Sequence, residues 1–357
     1  MFKDILKWQL NLNKEKTPPH LIIYVTDYCN LRCNHCYFWK NLNKKNNFSL
    51  NEFTKISKSL NQIIWLDIGG GEPFLRDDLD KIIDIFYKNN KLKYVNIPTN
   101  GFLVDKIVKI TESIVKKCPN TIINISISLD GKKDTHDKIR GVKGSFNKAI
   151  TTLEKLVSLK ENYPNLYISA CTTIINKNYK EIIPLMEFTK KQFNLNFHGL
   201  NLVRGSPKDK SYGLPDYENL KKVLVGYQKN IEYYYHSKRG LNSINAFLGS
   251  RMLNFLNKYN LETTSKKKII IPCLAGSVSA VINPNGDILI CELTNKIVNI
   301  KDYDFNFKKA WNSKDAKEKR KLLPKKGCFC THASFQNRNM LFNPWLMLKT
   351  IIINPKL

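Results

Sequence analysis

The fold turns on one stretch: Leu21-Ile22-Ile23-Tyr24-Val25-Thr26, then Asp27-Tyr28, then Cys29-Asn30-Leu31-Arg32-Cys33-Asn34-His35-Cys36. A short, β-branched apolar run gives way at once to a polar loop bearing three thiols. Runs of this kind read as strands buried on both faces. Five more follow, at residues 65–69, 94–99, 122–128, 166–173 and 195–202. Between them lie amphipathic stretches with helical spacing, at 77–90, 104–117, 145–159 and 179–192, and another opens at the capping box Ser49-Leu50-Asn51-Glu52. Six βα repeats predict an α/β fold with a parallel sheet and right-handed crossovers. Six units are two fewer than a closed eight-stranded barrel, so a partial (β/α)6 barrel is expected over 21–205. Its ligands should sit at the C-terminal ends of the strands.

The thiol loop carries the chemistry. Thiolates are the usual ligands of iron–sulfur clusters. Three on one loop, four and three residues apart, can wrap a corner of a four-iron cubane and leave one iron open. The zinc alternative needs four closed ligands, with His35 as the fourth. His35 lies between the second and third cysteines, where it would strain to join them.

The C-x3-C-x2-C loop after the first strand resembles the radical S-adenosylmethionine (SAM) superfamily, and other strand ends resemble it too. Gly70-Gly71-Glu72-Pro73 ends the second strand and Thr99-Asn100-Gly101 the third. Ser128-Leu129-Asp130-Gly131 ends the fourth, followed by His136-Asp137 and Ile139-Arg140-Gly141, a segment similar to that of peptide- and cofactor-maturing members. The resemblance implies a catalytic 4Fe-4S cluster on Cys29, Cys33 and Cys36. It implies SAM bound along Gly70, Gly71, Glu72, Thr99 and Asn100, with Glu72 accepting from the methionine amino group. Ser128 and Asp130 would lie near the ribose and carboxylate, and Arg140 would pair with the carboxylate. The implied reaction is reductive cleavage of SAM to methionine and a 5′-deoxyadenosyl radical, which takes a hydrogen atom from substrate. A flavodoxin- or ferredoxin-type electron donor is implied with it.

Four more cysteines, Cys273, Cys291, Cys328 and Cys330, fall in the C-terminal part. The pattern Cys273…Gly286-x4-Cys291 resembles SPASM and twitch domains, which carry auxiliary clusters. A second 4Fe-4S cluster is therefore expected in a small SPASM/twitch-like domain at 269–340, with a structural zinc site as the alternative. The closing segment Cys328-Phe329-Cys330-Thr331-His332 departs from the pattern, with Ser334 where relatives carry a thiol. Residues 278–283 and 287–291 read as a hairpin about Asn285-Gly286. The rest divides into an N-terminal extension (1–20), a helical substrate region (206–268, with helices near 215–235 and 241–260) and a tail (341–357) whose Trp345, Leu346 and Leu348 should pack on the domain. Cys118 and Cys171 stand alone and read as small buried hydrophobes. Tyr233-Tyr234-Tyr235 reads as packing in preference to a base-stacking platform.

The chain has 357 residues, 42% of them hydrophobic, enough for a large core. No apolar run reaches the ~18 residues of a membrane span, and residues 1–10 lack the apolar core of a secretion signal, which points to the cytoplasm. The net charge of +28 comes from dispersed lysines, which fits solvated helix faces better than a nucleic-acid tail. The expected function is hydrogen-atom abstraction from a peptide or small-metabolite substrate. The alternatives are RNA modification by the same radical, and a non-catalytic iron–sulfur electron carrier, which would have no use for Glu72, Ser128 or Arg140.

Overall fold

The computed structural model describes residues 2–10, 16–237, 244–322 and 328–352. Helix α1 (Phe2–Leu10) precedes strand β1 (His20–Thr26). The expected alternation then runs through α2 (Leu50–Lys58), β2 (Trp65–Gly70), α3 (Leu79–Asn90), β3 (Tyr94–Thr99), α4 (Val104–Lys117), β4 (Ile122–Ser128), α5 (Lys133–Arg140), α6 (Ser145–Lys160), β5 (Leu166–Ile174), α7 (Ile182–Gln192) and β6 (Phe197–Leu202). The six strands pair in parallel in chain order, the α/β partial barrel expected of six βα units. Ser49 caps α2 as its capping box predicts: its Oγ accepts from Glu52 N–H, and Glu52 Oε2 accepts from Ser49 N–H at 2.7 Å.

The expectation of strands buried on both faces holds for β1, whereas β3 has one fully buried and one half-buried face. The outer face packs on the helices and is apolar, while the inner face of β3, β4 and β5 is largely polar and Ile22, Ile68 and Leu202 line the cleft from the other strands. On β4, Ile123, Ile125 and Ile127 join the main core, while Ser126 and Ser128 line a cleft. Asn124, at the same parity, donates across to Asn96 Oδ1 of β3 at 2.8 Å. On β5, Ile168 and Ala170 lie in the core, whereas Cys171 and Thr173 face the cleft. A lumen that receives a polar ligand needs this alternation, which follows from the two-residue period of a strand.

After β6 come α8 (Tyr217–Glu232), a π-helical turn at Tyr233–Ser237 and α9 (Ile244–Lys266). The expected helix at 241–260 thus runs on to Lys266, and its residues 241–243 lie outside the described residues. Tyr234 is fully buried, its ring 5.6 Å from that of Phe197. It packs, as expected. The hairpin also forms, as β7 (Ser279–Ile282) and β8 (Asp287–Leu289), and turns through Gly286 at φ +98. Strand β9 (Val298–Asn299) extends it. β7 pairs in parallel with β1, so the hairpin and the barrel strands form one nine-stranded sheet.

Helices α10 (Phe307–Asn312), α11 (Lys314–Leu322), α12 (Ala333–Leu341) and α13 (Pro344–Ile352) complete the described chain. In the tail, Leu346 is buried with Phe255 and Met340, while Trp345 and Leu348 face outward. Residues 353–357 lie outside the described residues. The N-terminal extension supplies α1, whose Ile5 and Trp8 pack with Trp65 and Phe342 near the N-terminal end of β2. No helix among the described residues is long and apolar enough to cross a membrane.

Candidate active site

The thiol loop is held by the end of a helix. Arg32 N–H donates to Arg140 O at 3.2 Å, Asn34 N–H to Ile139 O at 2.8 Å, and Asn34 Nδ2 to Lys138 O at 2.9 Å. These carbonyls belong to the last turn of α5, where a helix leaves its acceptors unpaired. Gly141 then ends α5 at φ +71, and a Cβ there would stand 2.7 Å from Arg32 O. Only glycine allows loop and helix to approach so closely. Cys29, Cys33 and Cys36 all line one cleft of about 320 Å3. Burial pushes the Cys29 thiol up to about 12 and that of Cys36 to about 11, and each also feels the charge of Cys33. Burial raises Cys33 as well, opposed by the Arg140 guanidinium.

The glycines at the end of β2 pack directly against the end of β1 and the start of the thiol loop. Gly70 lies at φ +126 with its Cβ position 2.1 Å from Thr26 O, and that of Gly71 is 1.9 Å from Tyr28 O. A side chain at Gly70 would collide with the end of β1, and one at Gly71 with the start of the thiol loop. Glu72 follows, fully buried. Its Oε1 accepts from Thr99 Oγ1 at 2.8 Å and Phe74 N–H at 3.2 Å, and its Oε2 from Asn100 N–H at 2.8 Å. Burial raises the carboxyl to about 7, against the pull of those donors and of Arg140. Asn100 Nδ2 donates to Asn30 Oδ1 at 2.8 Å, which ties the third strand end to the thiol loop.

Ser128 and Arg140 reach the same cleft, and Asp130 does not. Asp130 lies fully buried behind Arg140. Its Oδ2 stands 2.7 Å from Arg140 Nη2, and its Oδ1 accepts from Thr173 N–H at 2.8 Å. Arg140 Nη1 donates to Cys33 Sγ at 3.8 Å, while Nε has no partner among the described residues. His35 turns toward Asp130, 3.7 Å away, and burial holds its imidazole neutral, down to about 4.

All of the sequence-expected residues of the N-terminal site are thus gathered at one end of the sheet, between β1 and β5. The family model of the radical SAM superfamily matches residues 23–189. Over those residues, just under half of its length, the chain is similar to the radical SAM superfamily. Among curated relatives, the subtilosin biosynthesis protein AlbA of Bacillus subtilis is 31% identical over 173 residues, 48% of this chain and 36% of AlbA. The chain thus spans about a third of that relative's length. A GTP 3′,8-cyclase of Aliarcobacter butzleri is 27% identical over 84% of this chain and 93% of the cyclase. Among solved structures, Streptococcus suis SuiB bound to the precursor peptide SuiA superposes with a TM-score of 0.59 at 19% identity, covering 88% of this chain and 70% of SuiB.

Several residues of the cleft and its surroundings escaped the sequence reading. Cys118 is buried in the core, as expected. Cys171 corrects its expectation: it lies on the cleft wall, and its sulfur accepts from Asn201 Nδ2 at 3.0 Å. Beside it stands a buried polar network. Glu292 Oε1 accepts from Tyr24 OH and from Tyr37 OH, the latter at 2.8 Å. Glu292 Oε2 pairs with Arg204 Nη2 at 2.9 Å and with His332 Nε2. Arg204 also stacks over the Tyr37 ring, 4.7 Å from its centroid. Although burial opposes it, the charges of Arg204 and His332 hold the Glu292 carboxyl well below the usual range. Tyr37 directly follows Cys36, Glu292 directly follows Cys291, and His332 stands two residues past Cys330. That adjacency was the available signal.

The network brings the C-terminal cysteines to the barrel mouth. Burial raises the Cys291 thiol most, and the charges of Cys330 and Cys273 act on it too. Cys330 is pushed up to about 12 by burial, with Cys273 and Cys328 adding to the rise. Cys328 is the exposed member of the four. Ser334 does not join them: it lines the main cleft and donates to Asp67 Oδ2 at 3.3 Å. Among the described residues, no three His, Cys, Asp or Glu converge as ligands of a single ion.

Proposed function

We propose that this chain is a radical SAM enzyme that abstracts a hydrogen atom from a peptide substrate, with an auxiliary iron–sulfur cluster on its C-terminal cysteines. The observation that carries the reading is a single cleft lined by three thiols, the buried Glu72 carboxyl and the Arg140 guanidinium. The residues present fit both implied groups. Three thiols match three irons of a cubane and leave the fourth open. Glu72 suits an ammonium group and Arg140 a carboxylate. When bound, the cluster and SAM supply one electron and a 5′-deoxyadenosyl radical.

The chain's own residues bind, orient and exclude water. Cys29, Cys33 and Cys36 hold the cluster. Gly70, Gly71, Glu72, Thr99, Asn100 and Ser128 cradle SAM, and Asp130 aims Arg140 from behind. The peptide reading draws on the match to AlbA, named for subtilosin biosynthesis, and on the fold shared with SuiB in its peptide complex. The second reading, a nucleotide or other small metabolite, draws on the longer match to the GTP cyclase.

The test is 5′-deoxyadenosine formation by anaerobically reconstituted chain with dithionite and SAM. Wild type should form it, and Cys29→Ala, Cys33→Ala and Cys36→Ala should each abolish it. Wild-type cleavage by any one variant removes that cysteine from the site. Stimulation of the wild-type rate by GTP and not by peptides would favour the second reading.

A further inference from the structure

A second cavity, of about 550 Å3, lies between residues 37–46, just past the thiol loop, and residues 283–296 of the hairpin region. It shares Tyr24, Tyr37 and Glu292 with the main cleft, so their hydrogen-bonded network is the wall between the two. Asp27 lines this chamber and is 1% exposed. Its Oδ2 accepts from the N–H and Nδ2 of Asn46 at 2.9 and 3.1 Å, while its Oδ1 has no partner among the described residues. A buried carboxylate oxygen in that position calls for an N–H donor. Asn41, Asn283 and Asn295 add side-chain amides, each both donor and acceptor. Lys40 and Lys44 are exposed on its lining and form no ion pair with a described residue.

We propose that this chamber is a substrate subsite for an acidic polypeptide segment flanking the residue that reacts in the main cleft. The proposal rests on the peptide reading above and names the substrate class more narrowly. A backbone N–H meets Asp27 Oδ1, backbone carbonyls meet the asparagine amides, and acidic side chains meet Lys40 and Lys44. The other two carboxylates of the chamber are already partnered: Glu292 is spent on Arg204, His332 and the two tyrosines, and Asp287 pairs with Lys296 at 3.5 Å and accepts from Asn285 Nδ2 and Asn299 Nδ2 at 2.8 and 2.9 Å. RNA fits less well. Single-stranded recognition rests on aromatic stacking platforms, and here Tyr24 and Tyr37 are tied into the wall while Phe38 is buried.

The experiment is fluorescence anisotropy with the full chain under anaerobic conditions. The probes are a labelled peptide of alternating Glu and Gly and a labelled oligouridylate of equal charge. The variants are Lys40→Glu/Lys44→Glu in the chamber, Lys267→Glu/Lys268→Glu beyond α9 as an equal charge change elsewhere, and Asn295→Trp, which fills the chamber without changing charge. Peptide affinity should fall about tenfold or more in the first and third, as expected for loss of charge-assisted contacts, and under about twofold in the second. Equal losses in the two charge variants would mean diffuse attraction and overturn the proposal. Tighter oligouridylate binding with the same Lys40/Lys44 dependence would overturn it in favour of nucleic acid. Lys40→Glu/Lys44→Glu should retain wild-type 5′-deoxyadenosine formation. If wild type itself forms none, the parent reading fails, and the binding data still stand or fall separately.

Discussion

Glu72 shows how one residue's surroundings set a measurable pH dependence. Its carboxyl is raised by burial to about 7, above its ordinary value near 4.5. The folded chain therefore binds this proton more tightly than the unfolded chain does. By linkage, this group favours folding at low pH, and that contribution is lost as pH rises from about 4.5 through about 7. A ligand ammonium reverses the preference, because it pairs with the ionised form. SAM affinity of the reconstituted protein, measured by calorimetry, should fall by up to about tenfold per pH unit below about 7 and level off above it. Glu72→Gln should bind weakly with no such slope; a wild-type affinity flat from pH 6 to 8 would remove Glu72 from the ammonium contact. Arg140→Ala should weaken SAM by roughly 1.5–3 kcal/mol, one to two decades, and leave the iron in place. Asp130→Asn should move affinity in the same direction through Arg140 alone, since Asp130 lies behind it. Full affinity in Asp130→Asn would show that Arg140 needs no anchor.

At the scale of elements, the thiol loop is only as well placed as the α5 terminus that holds it. Gly141→Ala puts a Cβ within 2.7 Å of Arg32 O and an L residue at φ +71. Left-handed strain and the close contact together should cost about 1–3 kcal/mol. The expected outcome is a lower melting temperature together with weaker iron retention on gel filtration, and unchanged values for both would show that the loop does not depend on α5. What was legible in the sequence follows the same division between local and distant. The six parallel strands, the capping box at Ser49 and the 104–117 helix announce themselves over a few consecutive residues. So do the thiol loop and the Gly70-Gly71-Glu72 turn. The polar inner face was equally local, written in Asn124-Ile125-Ser126-Ile127-Ser128, but a count of apolar residues hides a two-residue alternation. α5 is eight residues long and strongly polar, so it offered no apolar stripe. The parallel pairing of β7 with β1 joins residues about 260 apart, as at His20 and Ser279, and no local pattern carries it. Cys171 read as core because solitary cysteines usually are. Only the register of β5 turns it toward the cleft.

Across the whole molecule, one network ties β1, the thiol loop, the end of β6 and both C-terminal cysteine segments together. Glu292 is its hub, and a partner loss there leaves Arg204 buried without its counter-ion. Glu292→Gln should therefore destabilise the apo chain to denaturant by about 3–5 kcal/mol. Because its carboxyl is held below the usual range, the wild-type contribution is present above about pH 4.5 and lost only as pH falls below that. The same hub sets Cys291 and Cys330 near the cleft, and the auxiliary-cluster reading follows from what surrounds them. Ser334 is committed to Asp67 and His332 to Glu292, so neither is a spare ligand. That leaves Cys273, Cys291, Cys328 and Cys330, whose thiols sense one another's charge. If these four thiols hold the auxiliary cluster proposed above, they complete its ligation, as the three thiols of the loop would hold the other cluster. The anaerobically reconstituted chain should then contain about eight irons. Cys273→Ala/Cys291→Ala should fall to about half that content, still form 5′-deoxyadenosine, and fail to release finished product. The double variant separates the two cysteine groups because neither substitution touches the thiol loop. About four irons in wild type, with zinc bound as well, would sink the auxiliary cluster and make the C-terminal thiols a structural zinc site.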